Sequence, residues 1–333
     1  MTAIIRRLAG WDGFLAALTL ATLLYAVLAL PTFATAFNIS QAIAGVSERA
    51  LIVLPMVLLI IAREIDLSVA SILALSSVVF GMMVQAGLPL AAAMPLTLLA
   101  GGLAGAFNGA LVTGLGLPSL VVTLGTMAMF RGIGYILLGS ASVNAFPDAF
   151  TDFGIDTLGD TPIPLTILPF LVLAPVFAVV LQATPTGRRI YALGGSPSAA
   201  RYAGVRTERI RFALFVVSGF VCALAGIVFT ARLANARANN AVGLELDVIT
   251  TALLGGISVF GGKGRLTGVF WALALLALLR NILGLQQIGG DAQGTVVGLL
   301  LILSLLAGNI ARGAFERLRS RRSAPASASR GDL

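Results

Sequence analysis

The stretch GVFWALALLALL, Gly268 to Leu279, decides the fold class. A strand of a membrane barrel alternates apolar and polar side chains over about ten residues; this run carries no charge and no alternation. A helix of about 20 such residues crosses roughly 30 Å of hydrocarbon. Comparable runs recur along almost all of the 333 residues, which are 58% hydrophobic and 11% charged, with a mean hydropathy of +0.99. That composition lies outside the soluble globular range. The chain therefore reads as an all-α integral membrane protein, one transmembrane domain over 1–333 with no room for a large soluble domain.

Ten helices are expected, near 13–33, 42–61, 67–86, 90–113, 118–138, 163–183, 211–231, 246–260, 266–284 and 293–311. Arg6 and Arg7 precede the first, and the apolar run from Phe14 to Leu30 is too long for a cleaved signal, so it reads as a retained helix. The loop SASVNAFPDAFTDFGIDTLGDTPIP (Ser140 to Pro164) holds four Asp and no Lys or Arg, whereas GRRIYALGGSPSAARYAGVRTERIRF (Gly187 to Phe212) holds six Arg. Short loops rich in Arg stay cytoplasmic. Ten crossings from a cytoplasmic start put the acidic loop outside and the arginine island inside. They also place inside the basic tail 312–333, which is Ser- and Ala-rich and expected to be disordered.

REIDLSVAS (Arg63 to Ser71) and LELDVITTA (Leu244 to Ala252) both read Glu-apolar-Asp at a helix start, and each half goes on to an Asn, Asn108 or Asn281. On the expected topology the two motifs lie on opposite sides, the pattern of an inverted repeat with a pathway between its halves. Asp66 and Asp247 read first as helix caps meeting free N–H groups; the other reading is a proton or cation site. Arg63 stands close enough in sequence to neutralise Asp66.

Several chemistries are excluded. The chain has no His and a single Cys, Cys222, so disulfides, thiolate metal sites and imidazole acid–base catalysis are absent within one copy. The net charge of +8 follows arginines that flank membrane segments, which points to orientation and lipid rather than nucleic acid. FGGKGR (Phe260 to Arg265) is no phosphate loop: Ile257 stands where its first Gly belongs, and Gly264 where Ser or Thr should hold magnesium. It reads as a tight cytoplasmic turn. Most of the 38 glycines read as packing seams between helices. The polar residues of apolar spans, Asn108, Thr123, Thr126 and Asn281, are the candidates to line a pathway or to bond helix to helix.

Within the island, Ser196 can cap a short helix, Pro197 suits its first turn, Ala199, Ala200 and Arg201 are good formers, and Gly204 can end it. A loop that served orientation alone would need the charges but no capped helix. Its small Ala faces suit docking into a groove of another protein.

Five motifs in order, REIDLSVAS, LPSLVVTLGTMAMFRGI, TPTGRRIYALGGSPSAARYAGV, GLELDVITTALLGGISVFGGKGRLTG and the closing helical pattern, resemble the permease subunits of bacterial ABC importers for monosaccharides of the ribose/xylose/rhamnose type. The resemblance runs over 38–309. It implies a non-catalytic inner-membrane subunit with both termini cytoplasmic, and a partner permease that is a second copy or a homologue. It also implies a cytoplasmic ABC ATPase that carries the ATP and Mg, and a periplasmic sugar-binding protein; no cofactor sits on this chain. Glu64, Asp66, Ser68, Glu245 and Asp247 fall in the motifs. By the same resemblance the island is the coupling helix that enters the ATPase, with Gly187, Arg188, Arg189, Ser196, Ala199, Ala200, Arg201 and Gly204 as its residues. Relatives often carry Gly where Arg63 and Glu64 stand, and the REIDLS form points toward the rhamnose or autoinducer-2 branch. The implied cargo is a pentose or a deoxyhexose such as rhamnose. The alternative is a proton-coupled secondary transporter, which needs titratable residues at mid-membrane and no ATPase.

The topology has a direct check. In a Cys222→Ala background, a membrane-impermeant thiol reagent added to intact cells should label Asp152→Cys and spare Ser198→Cys. The reverse pattern would overturn the assignment.

Overall fold

The computed structural model describes residues 10–290 and, beyond them, 292–296, 298, 299 and 302. In chain order the helices are α1 (Trp11–Ala29), α2 (Ala36–Ala44), α3 (Ser47–Ile61), α4 (Val69–Gln85), α5 (Leu90–Gly114), α6 (Ser119–Leu138) and α7 (Asp148–Ile155). After a 3-10 turn (Leu165–Ile167) come α8 (Leu168–Ala183), α9 (Pro185–Gly195), α10 (Pro197–Tyr202), α11 (Thr207–Leu233), α12 (Leu244–Leu254) and α13 (Leu266–Leu285). Among the described residues, seven stretches are long and apolar enough to cross a membrane: α1, the α2–α3 run, α5, α6, α8 with its leading turn, α11 and α13. The chain is an all-α, multi-pass membrane protein.

Local chemistry explains where the helices differ from expectation. The first ends at Ala29 rather than 33 because Leu30, the residue before Pro31, is extended (φ −120°). The second begins early, at Ala36, because the Thr35 side chain accepts from the Asn38 N–H, and it breaks at Gly45–Val46. The helix expected over 246–260 stops at Leu254. Gly255 packs its backbone against Val269 of α13, and Gly256 takes φ +85°, a conformation only glycine adopts freely. At 11 residues α12 is about 16 Å long, too short to cross a membrane alone; irregular backbone follows it at 255–260, buried at Ile257 and Ser258. Non-helical backbone survives at membrane depth only under such cover. The helix expected over 293–311 and the tail 312–333 lie outside the described residues, apart from 293–296, 298, 299 and 302.

The centre of the bundle is α3. Every residue from Ala50 to Ala62 is buried, apolar on all sides, as befits a helix enclosed by other helices rather than by lipid. It packs against α8, α9, α11 and α12, while α1 leans on α13 and presents Leu20, Leu24 and Leu28 outward. The closest seam joins α5 to α11. Gly101, Gly105 and Gly109 share one face of α5 at four-residue spacing, and a Cβ on Gly105 would fall inside the Phe215 carbonyl oxygen of α11. Small residues permit this approach, and dispersion across it stands in for the hydrophobic force that lipid removes. The acidic loop folds as well: the ring of Phe150 of α7 packs, tilted, with its centroid 4.9 Å from that of Phe80, and the loop's four aspartates stay exposed.

Gly105→Ala should lower the stability of the detergent-solubilised protein by roughly 1–3 kcal/mol, the usual cost of overpacking. Gly125→Ala, where a Cβ meets nothing within 4 Å, should leave the melting midpoint unchanged or raised. Equal midpoints for the two variants would refute the seam.

Candidate functional site

The arginine island is two helices, α9 and α10, of which the sequence signals showed the second. Thr184 caps α9 by accepting the Gly187 N–H, with Pro185 in its first turn. Ser196 caps α10 by accepting the Ala199 N–H at 3.3 Å, and Gly204 leaves it at φ +80°. Gly187 is buried against the Leu181 carbonyl. Ala200 is only 4% exposed. Its methyl is enclosed by this chain, so it cannot fill a partner's cleft, and the expectation for that residue is corrected. The outward residues are Arg188, Arg189, Ala199, Arg201 and Gly204, with Tyr202 projecting at 94% exposure. Arg201 pairs with Glu208 at the base of α11.

Three backbone segments meet behind the island. The Gly262 N–H donates to Ile61 O at 2.8 Å, and a Cβ on Gly194 would collide with that same carbonyl. Arg63 closes the junction. Its Nε donates to Gly194 O (2.7 Å) and Phe260 O (2.8 Å), and its NH2 group to Gly195 O (3.1 Å). Arg63 holds φ +67° to do so, where Gly would be free of strain. The side chain is spent on carbonyls, so Arg63 does not neutralise Asp66 as its sequence position had indicated. FGGKGR is the third segment, a tight turn with positive φ at Gly261, Gly262 and Gly264, held to α9 by Tyr191 Oη donating to Gly264 O at 2.7 Å.

The rest of the first motif points into the bundle. Glu64 pairs with Arg211 of α11 at 2.9 Å; burial raises its carboxyl above the ordinary value, opposed by a Ser119 hydrogen bond and the Arg211 charge. Asp66, fully buried, accepts from Ser68 N (2.9 Å), Ser68 Oγ (2.6 Å) and Ser218 Oγ (3.2 Å). Its carboxylate is satisfied by hydroxyls and an amide in place of a cation, in the turn ahead of α4, whose N-cap position is held by Ser68 rather than by Asp66. Asn108 Nδ2 donates to Ser68 Oγ at 2.8 Å, while its buried Oδ1 has no partner. Thr123 donates to Ser119 O and Ile65 O, and Thr126 to Thr123 O. These three expected pathway residues, all buried, fasten the 62–68 turn and α6.

The second motif lies at the other end of α3. Asp247 is no cap: its Oδ2 takes Arg49 Nε at 3.1 Å and the Arg280 NH2 group at 2.6 Å. Asn281 joins Asn38 in a reciprocal amide pair, Nδ2 to Oδ1 at 3.0 and 2.8 Å. Asn38, Gln41, Arg49, Arg280 and Asn281 line a crevice of about 260 Å³, which continues into an apolar hollow of about 630 Å³ against α1. Beside it, Glu48 holds Arg232 at 2.7 Å. Glu245 sits in the first turn of α12 with a buried Oε2 left without a partner. Arg49, Arg280, Glu48 and Arg232 were missed by the motif reading. The signal was available as charge inside apolar runs, which is costly in a membrane and rarely without a partner.

The family model for the permease component of branched-chain amino acid transport systems matches residues 38–305. The chain is 35% identical to the ribose import permease protein RbsC of Haemophilus influenzae over 286 residues, covering 84% of this chain and 87% of that one. It is 33% identical to the autoinducer 2 import system permease protein LsrD of Photorhabdus luminescens, covering 78% and 79%, and 34% identical to LsrD of Yersinia enterocolitica, covering 78% and 80%. No solved structure matches. A match over most of the bundle, with both Glu-x-Asp layers and the island inside it, identifies the chain as a member of the branched-chain amino acid transport system permease family.

Proposed function

We propose that the chain is the membrane subunit of an ATP-driven importer for a monosaccharide, a pentose or a deoxyhexose such as rhamnose, delivered by a periplasmic binding protein. The observation that carries this reading is identity of 33–35% over about four-fifths of the chain to permeases named for ribose and autoinducer 2 import. The geometry supplies the parts that such a subunit needs. One end of the bundle bears α9–α10, fastened to α3 through the glycine junction, with Ala199, Arg201 and Tyr202 exposed, the face on which an ATPase would dock. The other end bears the acidic loop, a face for the binding protein, and the crevice beside Asn281.

The crevice is the proposed mouth of the pathway. Its amides and guanidinium groups offer donors and acceptors to sugar hydroxyls, and the crevice has room for a single sugar ring. Asp66 and Asp247 lie at opposite ends of α3, as two halves inverted in the membrane would place them. A second permease, the same chain or a homologue, completes the assembly. The fully buried, cation-free Asp66 is the one observation favouring a proton-coupled transporter.

Two measurements on cells carrying the chain with its partner subunits distinguish these readings. Uptake of labelled ribose and rhamnose should be abolished by an ATPase-site mutation in the partner and should survive a protonophore; protonophore sensitivity with ATPase independence would overturn the proposal. Tyr202→Ala should lower ATPase co-purification by roughly 30-fold in affinity, about 2 kcal/mol as for an interface anchor, with membrane abundance unchanged. Normal co-purification would remove Tyr202 from the interface.

A further inference from the structure

Three arginines of the island converge on a groove that contains no acid. Arg189 of α9 and Arg206 and Arg209 at the foot of α11 line a space of about 600 Å³ together with Thr186, and its floor is apolar, with buried Ile190 and Leu214. Among the described residues these three side chains have no hydrogen-bond or ion-pair partner. The nearby carboxylates are already engaged: Glu208 holds Arg201 and Arg211, and Glu64 holds Arg211. The groove facing the opposite side of α9 differs, since Arg188 and Arg265 share it with Asp12.

We infer that this groove binds the phosphate of an anionic phospholipid. Three unpaired cations around one cavity repel one another and are stabilised together by one anion, which guanidinium groups grip with paired, charge-assisted hydrogen bonds. Orientation alone requires the charges on this side of the membrane but no convergence. The surface above the groove selects a lipid over a free anion or an acidic peptide. From Arg209 the exposed face of α11 runs through Phe212, Ala213, Val217 and Phe220 into the membrane-spanning part of the helix, an apolar track for an acyl chain below a seated headgroup. Basic pockets between helices at a membrane surface bind anionic headgroups on the same grounds. The site is independent of what the chain transports.

The test is native mass spectrometry of the full chain in detergent, titrated with phosphatidylglycerol or phosphatidylcholine of identical acyl chains. Phosphatidylglycerol should be retained with at least about tenfold preference. The preference should vanish in R189Q/R206Q/R209Q and persist in Arg237→Gln, at the far end of the bundle. Should the triple variant prove unstable, R189K/R206K/R209K keeps the charge and should keep most of the preference. Phosphatidylglycerol should also raise the melting midpoint of the wild type, an effect that inorganic phosphate at millimolar concentration should neither reproduce nor block. Equal retention of the two lipids, a triple Gln variant that binds like the wild type, or displacement by inorganic phosphate would each overturn the lipid site. Loss of the preference once a partner ATPase is bound would overturn it in favour of an acidic protein contact.

Discussion

The contact of the Ile61 carbonyl with Gly194 and Gly262 governs how this molecule is arranged. Ile61 ends the helix around which the bundle is built; Gly194 lies near the end of α9 and Gly262 in the turn between α12 and α13. No side chain fits between the three backbones. The approach is therefore available only to glycine, and it fixes the island relative to the core with a short, stiff linkage rather than a flexible loop. Arg63 adds donors from above and holds a left-handed backbone in doing so.

Charge is arranged in two layers at the ends of α3, and in each it is partnered before it is buried. Glu64 and Arg211 belong to the layer behind the island; Glu48 with Arg232 and Asp247 with Arg49 and Arg280 belong to the other. An isolated charge in hydrocarbon is costly, and breaking a buried pair leaves the survivor uncompensated. These pairs accordingly tie helices distant in sequence, α3 to α11 and α3 to α12 and α13. Glu245, whose buried Oε2 has no hydrogen-bond partner among the described residues, and Asp66 are the exceptions. The donors to Asp66 are the Ser68 amide and two hydroxyls, and through Ser68 it reaches Asn108 of α5. The motif residues thus connect the island, the core helix and the glycine seam by contiguous contacts.

How much of this was legible in the sequence depended on the range of the interaction. Apolar runs marked where the long helices lie, seven of them among the described residues against ten expected along the chain, and local capping by Ser196, Pro197 and Gly204 announced α10, because both signals act within a few residues. α9 was not announced: of the three glycines in its GRRIYALGG, it is Gly194 that touches Ile61, a partner more than a hundred residues away. The short α12 escaped for the same reason, since Gly255 yields to Val269 of another helix. Ala200 was read as an outward small residue although its methyl is enclosed, because a six-residue helix has no periodicity to tell its faces apart. Of the four polar pathway candidates, Asn281 lines a cavity, and the identity of its partner Asn38 could come only from the fold.

The central claim is that α9 and α10 are held to the end of α3 by backbone contact at Gly194. Amide hydrogen exchange of residues 185–204 in Gly194→Ala, compared with Gly195→Ala, tests it most directly, because a Cβ on Gly194 meets the Ile61 carbonyl whereas one on Gly195 meets nothing within 4 Å. Exchange through the island should accelerate by at least about tenfold in Gly194→Ala, reporting local opening, and should match the wild type in Gly195→Ala, with the amides of α5 and α11 unchanged in both. Equal protection of the island in the two variants would contradict the account.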